Sequence, residues 1–236
     1  MDKLLLKLER DQEISLSMSE GVFVPTGTTK VLTEAVCSYA SKPGKLLDLG
    51  CGSGAVGIAL HRMRVAKSPL YASDISEAAI NCVKKNAEIN NCTVVAKCGP
   101  LFDPWENETF DYIVDDVAGI AQEVARNSGW YNNVPCDSGI DGTFLVCKII
   151  KEAAQYLKPG GLLFFPIISF SNIKAIVTTA NDRFSHVLQL SHTEWPLPKE
   201  MYQHIDTLKR LQEEQHIQFI EKFGMILYFT DVYVAY

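Results

Sequence analysis

From residue 45 onward the apolar positions fall into short unbroken runs, separated by stretches whose apolar residues recur three and four apart. This is the pattern of buried parallel strands joined by crossover helices. Runs over 45–49, 69–73, 93–96, 110–114 and 162–168 predict five strands, with helices over 55–62, 76–90, 144–157 and 172–181 between or after them. In the second helix Ala79, Ile80 and Val83 share the inward face, while Lys84 and Lys85 point outward. Lys158-Pro159-Gly160-Gly161 reads as a turn before the fifth strand. Two further strands are expected over 185–190 and 225–236, the latter alternating, with a charged helix over 199–215 between them. The expected fold class is α/β with a seven-stranded sheet.

The start of the chain reads differently. Leu4, Leu5 and Leu8 sit at helical spacing, residues 13–18 alternate like a strand, and a helix follows through Cys37. Residues 1–44 are therefore read as a lead-in to a domain over 45–236, which carries a helical insertion at about 197–217. Pro25-Thr26-Gly27-Thr28-Thr29 places small and hydroxyl residues ahead of the first strong helix, as a capping loop or a loop lining a site does.

A chain of 236 residues, 47% hydrophobic and 21% charged, is neither a disordered polymer nor a membrane protein. Its 22 basic and 28 acidic residues leave a net charge of −6 with no run of Lys or Arg, which argues against capture of bare nucleic acid. Nucleic acid is thus disfavoured as a partner, without being excluded. Seven cysteines with no C-x-x-C pair do not form a disulfide framework, and residues 1–10 are too charged for a signal segment, so a cytoplasmic location without membrane association is expected. The five histidines are scattered, and no metal site is expected.

The chemistry concentrates at Leu46-Leu47-Asp48-Leu49-Gly50-Cys51-Gly52-Ser53-Gly54, where three alternating glycines join a strand end to a helix start. Glycine permits positive φ and close backbone approach, and a helix start presents unpaired N–H groups to a ligand. Asp74, at the end of the second strand, is placed to accept hydrogen bonds from both hydroxyls of a ribose. Gly50, Gly52 and Ala55 also satisfy the dinucleotide form G-x-G-x-x-G/A. Asp48, however, would repel a pyrophosphate and suits an ammonium or a loop amide, so a cofactor bearing a methionine amino group is preferred to NAD.

These residues resemble the class I S-adenosylmethionine-dependent methyltransferases, whose first motif is Asp-Leu-Gly-x-Gly-x-Gly. Asp48 to Gly54 is similar to that motif, Asp74 to the ribose acid, and Leu157-Lys158-Pro159-Gly160-Gly161 to the loop before strand five. The resemblance implies a Rossmann-like, mostly parallel sheet with helices on both faces and an antiparallel last strand. It implies S-adenosyl-L-methionine as cofactor, with the Gly50 to Gly54 loop against its methionine part. Within the class the chain is similar to the release-factor glutamine methyltransferase branch, through Val22-Phe23-Val24-Pro25 with Thr29, Leu101-Phe102-Asp103-Pro104 and Gly139-Ile140-Asp141-Gly142. The implied cofactor-binding residues are Thr29, Asp48, Gly50, Cys51, Gly52, Gly54, Asp74, Ile75, Leu101 and Phe102.

The chain departs from that branch where Asn-Pro-Pro-Tyr would follow strand four. Asp116, Val117, Ala118 and Gly119 stand there, which keeps an acceptor oxygen but removes the stacking ring. Pro100 replaces an acid that contacts the adenine amino group, with Leu101 and Phe102 available to pack on the adenine face. Asp116 is expected to act on the acceptor, with Asp115 as a helper. Tyr131, Asn132 and Asn133 are expected to shape access for the acceptor, and His192, Glu194, Trp195, Tyr202 and His204 to cover it. The expected activity is methyl transfer to nitrogen or oxygen of a small molecule or protein side chain. The competing functions are a non-catalytic partner subunit that retains the fold, an RNA methyltransferase, and an NAD-dependent oxidoreductase.

Overall fold

The computed structural model describes residues 3–8, 12–131, 134 and 136–236. In chain order the elements are β1 (Lys3–Lys7), β2 (Glu13–Ser17), α1 (Gly27–Tyr39), β3 (Leu46–Leu49), α2 (Ala55–Arg62), β4 (Leu70–Asp74), α3 (Glu77–Ile89), β5 (Val94–Cys98), β6 (Phe110–Asp115), α4 (Gln122–Ser128), α5 (Phe144–Ala153), β7 (Leu157–Ile168), α6 (Ile173–Asn181), β8 (Val187–Pro196), α7 (Ile205–Glu213), β9 (Ile220–Lys222) and β10 (Met225–Ala235).

The main sheet has the order β5-β4-β3-β6-β7-β10-β8, with β9 paired to β10. Strands β3 to β7 run parallel, and β10, antiparallel to both neighbours, separates β7 from β8. This is the expected Rossmann-like sheet with its antiparallel last strand, plus the short β9. Alternation along the strands sorts side chains between two helical layers. Leu46, Tyr112 and Phe164 join the core under α1, α2 and α3. Leu47, Ile113 and Phe165 join the core under α5 and α6.

Several expectations are corrected. The leucines near the start form a strand, β1, paired antiparallel with β2 from Lys3↔Ser17 to Lys7↔Glu13. Helical spacing of Leu4, Leu5 and Leu8 is overruled by alternation, because Leu4 and Leu6 pack on the core while Leu5 is exposed. The turn at 158–161 is absorbed into β7 as an irregularity, where the register shifts between Phe110↔Leu157 and Tyr112↔Leu162. Strand β8 runs on to Pro196, because its charged positions His192 and Glu194 face outward while β10 continues to pair with it. The single helix expected over 199–215 is a 3-10 segment, Lys199–His204, followed by α7.

Residues 197–217, expected to be an insertion, pack on the segment after β6. Leu197, Met201, Leu208, Leu211 and Ile217 share a core with Ile120, Val124 and Phe170, against which Trp130 and Tyr131 rest. Helix α4, not anticipated in the sequence, is tied to the insertion by Arg210, whose Nη2 lies 2.5 Å from Glu123 Oε2.

Candidate active site

A cavity of about 390 Å³ opens at the carboxyl ends of β3, β4 and β6. This is where a parallel sheet leaves a crevice as crossovers diverge to opposite faces. Its floor is the loop Gly50 to Ser53, and the segment from Gly21 to Thr29 and Tyr131 form other walls.

The loop is held by its own backbone. Gly50 N and Cys51 N both donate to Ser73 O, at 2.9 and 3.0 Å, and Gly54 N donates to Cys51 O at 2.6 Å. Gly50 adopts φ +70, and a Cβ there would stand 2.5 Å from Val117 Cγ1, so glycine lets the loop after β6 close over it. Gly52, at φ +51, has nothing within 4 Å of where its Cβ would be; the space belongs to the cavity.

Asp48 sits under this loop at 1% exposure. Its Oδ2 accepts from Gly57 N at 2.9 Å, while Oδ1 is buried without a hydrogen-bond partner among the described residues. Burial pushes its pKa up to about 8 against the Gly57 bond, and the charges of Asp116 and Asp74 add to the rise. Gly57 makes this arrangement possible. Alanine is favoured over glycine in a helix interior by about 1 kcal/mol, yet a Cβ at Gly57 would lie 2.6 Å from Asp48 Oδ2 and 2.9 Å from Leu70 Cδ2. Gly57→Ala is therefore expected to destabilise by roughly 1–3 kcal/mol, the usual cost of overpacking. Urea denaturation checks the sign, and a stabilised variant would show that helix α2 can simply shift aside.

Asp74 closes β4 and accepts from Gly52 N through Oδ2 and from Ser76 N through Oδ1, both at 2.9 Å. It is not the cap of α3; that is Ser76, whose Oγ accepts from Ala79 N. Each carboxylate oxygen keeps a second lone pair for a ligand. Ile75, exposed, and Leu101, with Gly99 and Pro100, continue the wall beside it.

Asp116 lines the opposite side. Thr29 Oγ1 donates to its Oδ2 at 3.2 Å, and burial pushes its pKa up to about 7 against that bond. Above it two rings meet: Phe23 and Tyr131, centroids 5.1 Å apart, both lining the cavity. The charge of Asp116 helps to raise the pKa of the Tyr131 phenol, after burial and the neighbouring Cys136. Asp137 and Phe144 also border the space.

Thr29, Asp48, Gly50, Cys51, Gly52, Asp74, Ile75, Leu101 and Asp116 thus converge on one cavity. Three expected residues do not. Gly54 stands behind the loop as the left-handed cap of α2. Phe102 is buried and stacks on Tyr156 at 4.4 Å, in the core rather than against a ligand. Asp115, 1% exposed, accepts from Val117 N at 3.0 Å and lies off the cavity; burial raises its pKa to about 7. Asn132 and Asn133 lie outside the described residues. The proposed cover is also displaced: His192 pairs with Asp231 at 2.6 Å, Glu194 with Lys222 at 3.1 Å, and Trp195 donates to Thr230 Oγ1 at 3.1 Å beneath Gly27. Tyr202 and His204 do not line the cavity among its described residues. Phe23, Asp137 and Gly57 were not singled out individually in the sequence.

Electrostatically the lining holds four carboxylates, Asp48, Asp74, Asp116 and Asp137, and no Lys, Arg or His among the described residues. The amides of Gly50, Cys51, Gly52 and Gly54 all donate within the protein, so the loop is a poor phosphate cradle. A ligand with cationic and hydroxyl groups fits. The unpartnered Asp48 Oδ1 and the open space over Gly52 are where an ammonium and a close-lying chain would be accommodated.

Residues 13–116 match the family model of the methyltransferase small domain. Over 187 residues, 75% of this chain and 56% of the relative, the sequence is 28% identical to the ribosomal protein L11 methyltransferase of Staphylococcus saprophyticus. It is 29% identical over 154 residues to the release factor glutamine methyltransferase of Geobacter sulfurreducens, covering 62% of this chain and 53% of that one. The chain therefore spans about half the length of these curated relatives. The fold is similar to that of a T. thermophilus 16S rRNA methyltransferase solved with AdoMet and guanosine, at TM-score 0.64 and 17% identity, covering 99% of this chain and 50% of that chain. With the glycine loop, the acid that closes β4 and the sheet order all in place, the chain is similar in sequence and fold to the class I S-adenosylmethionine-dependent methyltransferases.

Proposed function

We propose that this protein transfers a methyl group from S-adenosyl-L-methionine to a nitrogen or oxygen of a small molecule or a protein side chain, in the cytoplasm. The observation that carries the reading is the acidic lining of the cavity, four carboxyl groups with no Lys, Arg or His among the described residues, around a loop whose amides are already engaged. That environment favours a sulfonium cofactor with an ammonium and a ribose over a pyrophosphate-bearing one. It also disfavours an acceptor carried on a phosphate backbone, although one solved structure of this fold is an rRNA methyltransferase. The curated relatives are named for acting on a ribosomal protein and a release factor. All seven cysteines are free thiols, in keeping with a reducing compartment.

The cofactor, when bound, supplies an electrophilic methyl group. The protein's part is to orient and to move a proton. Asp74 would hold the ribose hydroxyls, Asp48 the amino group, and Ile75 and Leu101 would flank the adenine. Asp116 accepts the proton that the acceptor gives up, held in place by Thr29. Holding reactants in near-attack geometry is worth roughly 7–11 kcal/mol of barrier. Tyr131 and Phe23 provide a ring face beside Asp116 that Val117, Ala118 and Gly119 do not, so the loss of Asn-Pro-Pro-Tyr does not leave the acceptor without an aromatic wall.

Asp74→Ala is expected to weaken S-adenosylmethionine binding about 10–100-fold, since hydrogen bonds to a charged group contribute about 1.5–3 kcal/mol and the Gly52 amide also loses its partner. Isothermal titration with S-adenosylmethionine, its demethylated product and NAD tests this; unchanged affinity in the variant removes the ribose assignment, and preference for NAD removes the cofactor. Incubation with labelled cofactor and cell extract, followed by identification of the labelled product, tests the transfer. No label above background in the presence of tight cofactor binding would identify a non-catalytic subunit.

A further inference from the structure

Two walls of the cavity meet at a single buried amide. Asn86 projects from α3 and is 0% exposed. Its Nδ2 donates to Ser53 O in the glycine loop at 2.9 Å, and its Oδ1 accepts from Ser17 N at the end of β2 at 2.8 Å. Ser17 leads through Met18 into Gly21, Val22 and Phe23, which form the facing wall, and Val22 packs with Ala79 and Cys82 of the same helix. One turn further along, Asn90 repeats half of the pattern: its Oδ1 accepts from Ser15 N at 3.1 Å and its Nδ2 donates to Ser15 O at 2.8 Å. Asn90 Nδ2 also donates to Asn86 O at 2.7 Å within α3, so Asn90 clamps the hairpin to the helix, whereas Asn86 joins the hairpin to the loop.

We propose that Asn86 is a positioning residue for the cofactor, setting the distance between the glycine loop and the wall that follows β2, so that the β1–β2 hairpin is a working part of the binding site. An amide is the side chain the geometry requires. It must present one acceptor and one donor in opposite directions within a buried space, and a backbone carbonyl or N–H left there without a partner is costly. Helix α3 also packs through Ile80, Val83 and Ala87, with Val83 close behind Gly54, and Cys82 Sγ and Lys85 Nζ donate to Ser17; these contacts support the end of the loop and of the hairpin, while Asn86 alone among them reaches the Ser53 carbonyl. The loop's own contacts hold Gly50, Cys51, Gly52 and Gly54; Asn86 holds the Ser53 carbonyl between them.

This inference rests on the cofactor reading, and the experiment separates the two. Asn86→Ala and Asn90→Ala are compared in the full-length protein by thermal unfolding, by amide hydrogen exchange without ligand, and by titration with S-adenosylmethionine. Both variants are expected to unfold earlier, since each removes bonds from the hairpin. Only Asn86→Ala is expected to speed exchange at Gly52 and Gly54 and to weaken cofactor affinity about tenfold or more, the effect of one lost buried hydrogen bond. Equal losses of affinity in both variants, or no change in Asn86→Ala, overturn the positioning role. If the wild type does not bind S-adenosylmethionine, the cofactor reading fails, while the exchange measurement still tests the coupling. Should Asn86→Ala fail to fold, Asn86→Asp provides the second measurement. Only its protonated carboxyl can accept from Ser17 N and donate to Ser53 O together, so exchange protection at the loop is expected to recover as pH falls, relative to wild type. A pH-independent difference from wild type overturns the proposal.

Discussion

Asp116→Asn is expected to lower turnover about 10²–10⁴-fold, the usual contribution of a positioned general base, while leaving cofactor affinity nearly unchanged. Asparagine has almost the same shape and still accepts from Thr29 Oγ1, so the cavity wall is preserved and only the capacity to take a proton is lost. The pH dependence has a definite sign. Asp116 must be ionised to accept a proton, and burial lifts its pKa to about 7, so wild-type turnover should rise with pH through that range. Asp115 titrates nearby but lies off the cavity, and Asp48 titrates near 8 beneath the loop. The limb that disappears in the variant is therefore the one owed to Asp116. Steady-state turnover measured from about pH 5.5 to 8.5 for both proteins decides it. A variant as active as wild type, or one that keeps the rising limb at its original height, would remove Asp116 from the reaction.

The central sheet was legible because buried parallel strands leave a plain signal. Leu46, Leu47, Asp48 and Leu49 are all buried, and such an unbroken run bounded by glycines has few other readings. The elements misread are those in which a polar or local signal competes with pairing to a distant partner. The leucines of β1 satisfy two periods at once, and only the presence of β2 chooses between them. Strand β8 carries His192 and Glu194 on an outward face, and the last third of it is a strand because β10 is long enough to pair with it. Helix α4 is only Gln122–Ser128, too short to show a period, and it takes its place from the core shared with the insertion.

The site divides in the same way. Residues in contiguous motifs reach one cavity because one local turn brings them together: Asp48 with Gly50 and Gly52, Asp74 with Ile75. Residues that come from far along the chain are not legible in this way, since nothing near Tyr131 announces that its ring will meet Phe23, and nothing near Asn86 that its amide will meet Ser53. Phe102 shows the opposite case. It lies within a motif-like string, yet the left-handed backbone at Leu101, φ +46, turns the next side chain inward to stack on Tyr156. Adjacency in sequence placed it at the cavity; backbone direction carries its ring away from the described lining.

In the absence of ligand, the protein is expected to lose stability as pH rises from about 5 to about 9, and Asp48→Asn to remove a large part of that loss. Asp48, Asp115 and Asp116 have pKa values of about 8, 7 and 7 in the folded protein, against about 3.9 in an unfolded chain. Between those values the folded state holds protons that the unfolded state has released. Stability therefore falls with pH: the three contributions are fully present below about pH 4 and are lost as pH climbs through 7 and 8. At about 1.4 kcal/mol for each pH unit between the two states, Asp48 alone accounts for several kcal/mol. Asparagine keeps an acceptor for Gly57 N and carries no charge to bury, so the variant should be the more stable protein at high pH and have little advantage at low pH. Urea midpoints at about pH 5.5 and 8.5 measure both slopes, and parallel slopes for the two proteins would show that Asp48 is not the source. The same burial explains why the carboxylate is placed there at all. An unpartnered oxygen beneath the loop destabilises the ligand-free protein at high pH and rewards a cationic ligand that reaches it, so S-adenosylmethionine should raise the wild-type midpoint more as pH increases, and raise that of Asp48→Asn by less.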